Sequence, residues 1–514
     1  MSAASSLTSP RPATQKKTGF ALWMDRVLVE CDRAEAGFAA DPVHDLRVAL
    51  RRCRSLADGL MSVDPSPEWK AMKRAGKKVF QSLGELRDVH VMEELVGHLS
   101  EADDPVRVEM MRYLSDRQTE LKIHAATALH DFDRKQWKRW GTTLPRRAGK
   151  IRPGNLVFRH LALERWTEAY ELHRRALRNG SKAALHSLRI GIKRFRYTVE
   201  NFLPHEHAAW KDDLKEMQDI LGEIHDLDVF WATGLQIGAF RNPESRSQWH
   251  EKIAGERQSR IEKYRAKMLG PQSVWQAWRA ALPSGDLAAK GAFQRFRLWA
   301  AFLDPDQKHS AHVTRLALQL YAQLPAKPVS ESAAGHTPQQ ILEVAALLHN
   351  TNCDKPQSKK RKHCKAARVM QKLKPPFGWS ADDMRQVIAI VRNGRKGLPR
   401  AAQKSMAGLT AAERQTVAQL AGILRLADAF DRDHDSRVRR LRVSADKNLI
   451  TIEAEGYSAR DRMAQALAGA RYLLETVYRR PILVKTLREP KAMHKRALRN
   501  TPVRKNVASR LRAA

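Results

Sequence analysis

The chain has 514 residues, with 92 Lys and Arg against 56 Asp and Glu, for a formal charge of +36. That length exceeds what a single hydrophobic core supports, so two or three domains are expected, and a hydrophobic fraction of 43% suffices for ordinary globular cores. The charge excess repels itself and implies a polyanionic partner, whether nucleic acid, an anionic membrane surface or a phosphate polymer.

In chain order, residues 1–13 are rich in Ser, Ala, Thr and Pro and are expected to be disordered; the opening MSAASSLTSPRPATQKKTGF lacks the apolar run of a secretory leader. From residue 14 to 281, apolar residues recur at intervals of three and four and predict helices throughout. The breaks fall at Asp64-Pro65-Ser66-Pro67, between Gly141 and Gly154, and at Pro204. Residues 282–289, opening Leu-Pro-Ser-Gly, are expected to form a linker, and a second domain follows over 290–488, helical from about Lys290 to Ser436. Within it RRLRVSADKNLITIEAEG alternates on both sides of Asp446-Lys447-Asn448, which predicts a small β-hairpin, followed by a final helix near Ala459 to Tyr478. Residues 489–514 form a basic tail, read either as a polyanion-seeking arm or as a solubilising one. The expected fold is therefore mainly all-α, and no apolar run is long enough for a membrane-spanning helix. Cys31, Cys53, Cys353 and Cys364 do not make a disulfide framework, and a reducing cytoplasm is the expected setting.

The helical region contains an internal repeat. HDLRVALRRCR begins at His44 and HSLRIGIKRFR at His186; each is followed by a tryptophan, Trp69 or Trp210, and then by Leu83-Gly84-Glu85-Leu86-Arg87-Asp88 or Leu221-Gly222-Glu223-Ile224-His225-Asp226. The two copies, about 14–140 and 155–281, thus each read as a helix, a Pro-containing turn and a second helix. On a helical wheel His44, Arg47, Arg51 and Arg54 fall within roughly 80° of arc, opposite Leu46, Leu50 and Cys53. His186, Arg189, Lys193 and Arg196 repeat that spacing, opposite Leu188, Ile192 and Phe195. A solvated helix face normally mixes signs, because like charges at i, i+4 oppose the helix; these stripes contain no acid. Lys70, Lys73, Arg74, Lys77 and Lys78 in one copy, and Lys211 and Lys215 in the other, add to the excess. Such stacking becomes favourable along a polyanion.

The motif H-x-L-R-[VI]-x-[LI]-[RK]-R-x-R, followed by L-G-E-[LI]-x-D and present twice, resembles the CHAD domain, the conserved histidine α-helical domain, over roughly residues 14–281. The resemblance implies two helical-bundle halves around a basic groove that binds inorganic polyphosphate. Position by position, it implies phosphate contacts from His44, Arg47, Arg51, Arg54, His186, Arg189, Lys193 and Arg196. Lys73, Lys77 and Lys215 would extend the site, and Arg52 and Arg194 lie off the main arc. Lys193 stands where the first copy has Arg51, keeping the charge but losing the bidentate fork. If the histidines contact phosphate, acid should tighten binding.

The C-terminal region resembles the HD-type domain of exopolyphosphatase and pppGpp phosphohydrolase proteins, through KHSAHVTRLALQLYAQL, AALLHN, IVRNGRKGLPR and ILRLADAFDRDH. An active HD site needs a histidine, a His-Asp pair and a distal aspartate around a divalent metal. His309, His349 and Asp428 match, but the pair reads His349-Asn350, and Asn brings no anionic ligand; no metal or other cofactor is expected. The basic run KPQSKKRKHCK with Arg392, Arg395, Lys396 and Arg400 could guide a phosphate chain without cutting it. Cys353, His363, Cys364 and His349 fit no standard zinc spacing. Phosphate-binding glycine loops and the alternating strands and helices of an actin-like phosphatase are absent from the sequence. The expected function is non-catalytic polyphosphate binding in the cytoplasm, at polyphosphate granules with granule proteins as partners, or as a polyphosphate-responsive scaffold. Alternatives are a metal-dependent phosphohydrolase or regulator acting on polyphosphate or guanosine tetraphosphate-like nucleotides, and non-specific nucleic-acid binding. Only Phe195 and Tyr197 interleave with the cations as stacking aromatics would.

Overall fold

The structure, a computed structural model, describes residues 19–325, 335–351, 365–395, 397–401, 403 and 405–487. The expectations for residues 1–13, for KPQSKKRKHCK up to its last lysine, and for Cys353, His363, Cys364, Lys396 and the tail 489–514 fall outside these residues. Two hydrophobic cores are present, one running from Phe20 to Leu282 and the other from Phe296 to Ile482.

The first core is built by α1 (Gly19–Glu35), α2 (Ala40–Leu60), α3 (Pro67–Ala75), α4 (Lys77–Leu99), α5 (Pro105–His130) and α6 (Arg134–Ala148), followed by α7 (Leu156–Asn179), α8 (Lys182–Phe202), α9 (Pro204–Gln236), α10 (Pro243–Met268) and α11 (Val274–Ala281). The pairing follows the repeat: α1 packs on α2 as α7 packs on α8, and α4 packs on α5 as α9 packs on α10. The halves meet where α2 touches α8 and α4 touches α9. The turn into α8 is sharp because Gly180 takes φ 61° after α7 and Ser181 then caps α8 by accepting from the Ala184 N–H. The copies differ in one place. Between Trp69 and Gly84 the chain breaks at Gly76 into α3 and α4, whereas from Trp210 to Gly222 it runs on inside α9, 33 residues long. The three extra residues of the first copy are taken up at that break.

Residues 285–303, which include most of the expected linker, form α12 (Gly285–Leu303). This helix straddles the junction: Ala288, Leu298 and Phe302 pack on the first core, while Phe296, Trp299 and Leu303 belong to the second. The second core continues through α13 (Gln307–Gln323), α14 (Pro338–Leu348), α15 (Lys365–Met370), α16 (Ala381–Asn393) and α17 (Ala411–Phe430). The expected β-hairpin is there, β1 (Leu441–Ala445) antiparallel to β2 (Ile450–Ala454), but it belongs to a three-stranded sheet. β3 (Ile482–Thr486) lies parallel to β2, with Ile452 opposite Val484. β3 leaves no signal in the sequence, because a five-residue run after Pro481 has no local partner. The expected last helix is two, α18 (Arg462–Ala470) and α19 (Tyr472–Tyr478).

Candidate functional site

Burial divides α2 and α8 as their periodicity requires. Leu46, Leu50, Cys53, Leu188, Ile192 and Phe195 are fully buried, while Arg47, Arg51, Lys193 and Arg196 stay half-buried and His44 and His186 exposed. The α2–α8 contact is made at their C-terminal halves. Arg51 lies 6.0 Å from the centre of the Tyr197 ring, and Asn201 donates to the Ser55 hydroxyl at 3.0 Å. The cations of the two helices consequently face one groove. Lys193 registers this: burial, then Arg189, Arg51 and Arg47, push its ammonium down to about 8.

Two of the arginines are held by the neighbouring helices. Arg47 donates to the Phe80 carbonyl at 3.1 Å, and Arg54 donates to the Lys73 carbonyl at 2.8 Å; each guanidinium lies 5.0 Å from the Phe80 ring centre. Gly84, in the repeated Leu-Gly-Glu, makes room for Arg47, since a Cβ there would sit 2.6 Å from its Nη1; at Gly222 the same space is open. Among the described residues the buried Nε of Arg189 has no hydrogen-bond partner. That is an unmet donor in a cationic groove.

The groove also holds two carboxylates that a reading of α2 and α8 alone does not reveal. Asp88 on α4 faces Arg47, Arg189 and Lys193, and Asp226 on α9 faces Arg189, Asp88 and Lys193. Desolvation by the surrounding helices raises both carboxyls above the usual range, against the pull of the nearby cations. They are accompanied by Arg87, whose charge bears on His44, and by His225, whose ring centre is 4.9 Å from that of His186. All four occupy the x-D positions of the repeated L-G-E-[LI]-x-D, which was the available signal. Burial, with Arg87 and Arg51 next, pushes His44 below the ordinary histidine range, so any tightening in acid through this residue begins later than for a free imidazole.

Other predicted residues lie elsewhere. Arg52 is turned out of the groove, paired with Glu200 at 2.5 Å and resting 5.4 Å from the Trp23 ring centre. Lys73 forms an ion pair with Asp58, and Arg194 is exposed toward the junction with the second core. Lys77 and Lys215 are exposed on the helices that follow the stripes.

In the second core His309, His349 and Asp428 come together, with one ligand atom of each within 4.8 Å of the others. His309 Nε2 is 3.2 Å and His349 Nε2 3.4 Å from Asp428 Oδ1. Each outer nitrogen is anchored: His309 Nδ1 bonds Asp431 Oδ2 at 2.8 Å, and His349 Nδ1 donates to the Ala346 carbonyl at 2.6 Å. Such second bonds orient imidazoles toward a metal, so the donor set fits a three-ligand divalent site where the sequence reading expected none. Asn350 takes no part, donating instead to Asp304 at 2.9 Å. Asp431 and His434, which stacks on His309 at 3.8 Å, lie within ILRLADAFDRDH and join the cluster, although the histidine and aspartate pattern of an HD site does not itself call for them.

Two helical modules, one with a basic groove built from a duplicated motif and one with a histidine–aspartate cluster, define the class of this protein. Residues 23–233 match the family described as the CHAD domain, and residues 299–464 match the one described as Ppx/GppA phosphatase, domain III. The chain thus carries a CHAD domain followed by a Ppx/GppA-type domain III. The crystal structure of the CHAD domain from the plant Ricinus communis is 21% identical, with a TM-score of 0.35, covering 51% of this chain and 90% of that one. No curated protein matches the chain. Among the described residues, no helix is long and apolar enough to cross a membrane.

Proposed function

We propose that this protein binds inorganic polyphosphate in the groove between α2 and α8, as a granule-associated or polyphosphate-responsive scaffold. The observation that carries the reading is the convergence of Arg47, Arg51, Arg189 and Lys193 on one partly solvated space, close enough to depress the Lys193 ammonium. Half-buried like charges are costly when unaccompanied and become favourable beside a chain of phosphates, through charge-assisted hydrogen bonds and counterion release. The Nε of Arg189 supplies a donor that such a chain could satisfy. The test is competition at near-physiological salt among long-chain polyphosphate, single-stranded DNA and RNA, on the wild type and on Arg47→Glu/Arg189→Glu. Polyphosphate should bind tightest, and the double variant should lose at least tenfold, on the order of two lost charge-assisted contacts. Equal affinity for DNA, or an unaffected variant, would refute the reading.

A second reading is favoured by the His309, His349 and Asp428 cluster, which has the donors of a divalent-cation site. A bound cation would supply Lewis acidity toward phosphate oxygens; the chain's own contribution is to hold the two imidazoles through Asp431 and the Ala346 carbonyl. Calorimetric titration with zinc or manganese should give one site per chain that His349→Ala removes. The same variant should abolish any metal-dependent phosphate release, and heat traces that are identical for both proteins would exclude the site.

A further inference from the structure

The groove does not end at Tyr197. The ring that Arg51 covers also lines a second cavity, of about 510 Å³, at the junction of the two cores. Its walls carry Lys73, Arg165 and Arg194 from the first core's helices, and Arg295, Lys372 and Lys374 from the other side of the junction. Asp58 and Glu164 are the carboxylates that line it. Lys73 joins the two spaces, since its carbonyl anchors Arg54 while its side chain faces the cavity.

The ion pairs divide these cations into two groups. Glu164 is saturated, accepting from Arg295 at 2.9 Å and Lys374 at 2.7 Å, and Lys73 is paired with Asp58. Arg165 is paired with Glu168 at 2.8 Å. Arg194 and Lys372 have no carboxylate partner among the described residues, although they come from opposite sides of the junction. Arg194 also borders an adjoining cavity in which Arg174, Arg175 and Arg178 stand with Glu168 and Glu171. Two cations without a carboxylate partner thus border one polar cleft beside the groove, an arrangement that favours an anion.

We propose that the interdomain cleft is a second phosphate-binding station, in which Arg194 and Lys372 take successive phosphates of the same linear chain that lies in the groove. This rests on the polyphosphate reading for the identity of the polymer. It makes the Ppx/GppA-type domain part of the binding surface, so that a long chain contacts both domains and a short one need not.

The test is equilibrium binding of long-chain polyphosphate to the full chain across a salt series, for the wild type, Arg194→Gln/Lys372→Gln and Arg189→Gln/Lys193→Gln. Thermal melts show whether each variant is folded. Losing two phosphate contacts should weaken long-chain binding about tenfold and flatten the log–log salt slope by roughly 1.4 in the cleft variant, taking about 0.7 per contact. With tripolyphosphate, the number of sites per chain should fall from two to one in that variant. A cleft variant that matches the wild type in affinity, slope and stoichiometry overturns this proposal and leaves the groove reading standing. A groove variant that matches the wild type overturns the groove reading, while the cleft variant still reports on the cleft.

Discussion

Lys193 is a groove residue whose charge responds to pH. Burial, then Arg189, Arg51 and Arg47, hold its ammonium at about 8, against an ordinary 10.5. Between these values the unfolded chain binds a proton that the folded chain does not, so the stability of the free protein rises with pH across that window. Below it, the charged lysine is an unfavourable presence that an anion would turn to advantage. Polyphosphate affinity should therefore fall as pH rises from about 7 to 9, and Lys193→Arg, a permanent cation, should flatten the profile. Superimposable profiles for the two proteins would contradict the assignment. The cationic stripes were legible because a helix repeats every 3.6 residues and α2 and α8 are regular helices. Asp88 and Asp226 were not, because periodicity says which residues share a face of one helix and nothing about which helix faces it.

At the scale of elements, the two copies use the same glycine for different ends. A Cβ at position 84 would meet Arg47 Nη1 at 2.6 Å, while position 222 is open. Alanine in a helix interior is favoured over glycine by about 1 kcal/mol. Gly222→Ala should thus raise the unfolding midpoint and leave anion binding unchanged, whereas Gly84→Ala should push Arg47 off the Phe80 carbonyl and weaken binding several-fold. Equal affinities in the two variants would show that Arg47 does not need that seat. The Leu-Gly-Glu repeat was plain in the sequence, and the reason for its glycine appears only once α4 lies against α2. β3 escaped for the same reason, since its partner β2 is a parallel strand reached through two intervening helices.

At the scale of the molecule, the modules are locked by a charge cluster. Glu164 and Arg295 are both buried, 2.9 Å apart, and Lys374 closes the triad from the rim at 2.7 Å. Glu164→Met would leave Arg295 uncompensated and should cost about 3–5 kcal/mol in denaturant unfolding, most of it recovered in Glu164→Met/Arg295→Met. A double variant as unstable as the single one would mean that packing, not charge, holds the junction. Composition could suggest where one region gives way to the next, but residues 131 positions apart in the chain meet only in the fold. The halves of the groove are also unequal in a way that outlasts any one contact. One half has an arginine, Arg87, where the other has His225, which burial, Arg189 and His186 hold toward its neutral form. A string of identical phosphates has no head and no tail. If such a string binds as proposed, any sense of direction it acquires would come from the protein, from the half with the arginine to the half with the histidine.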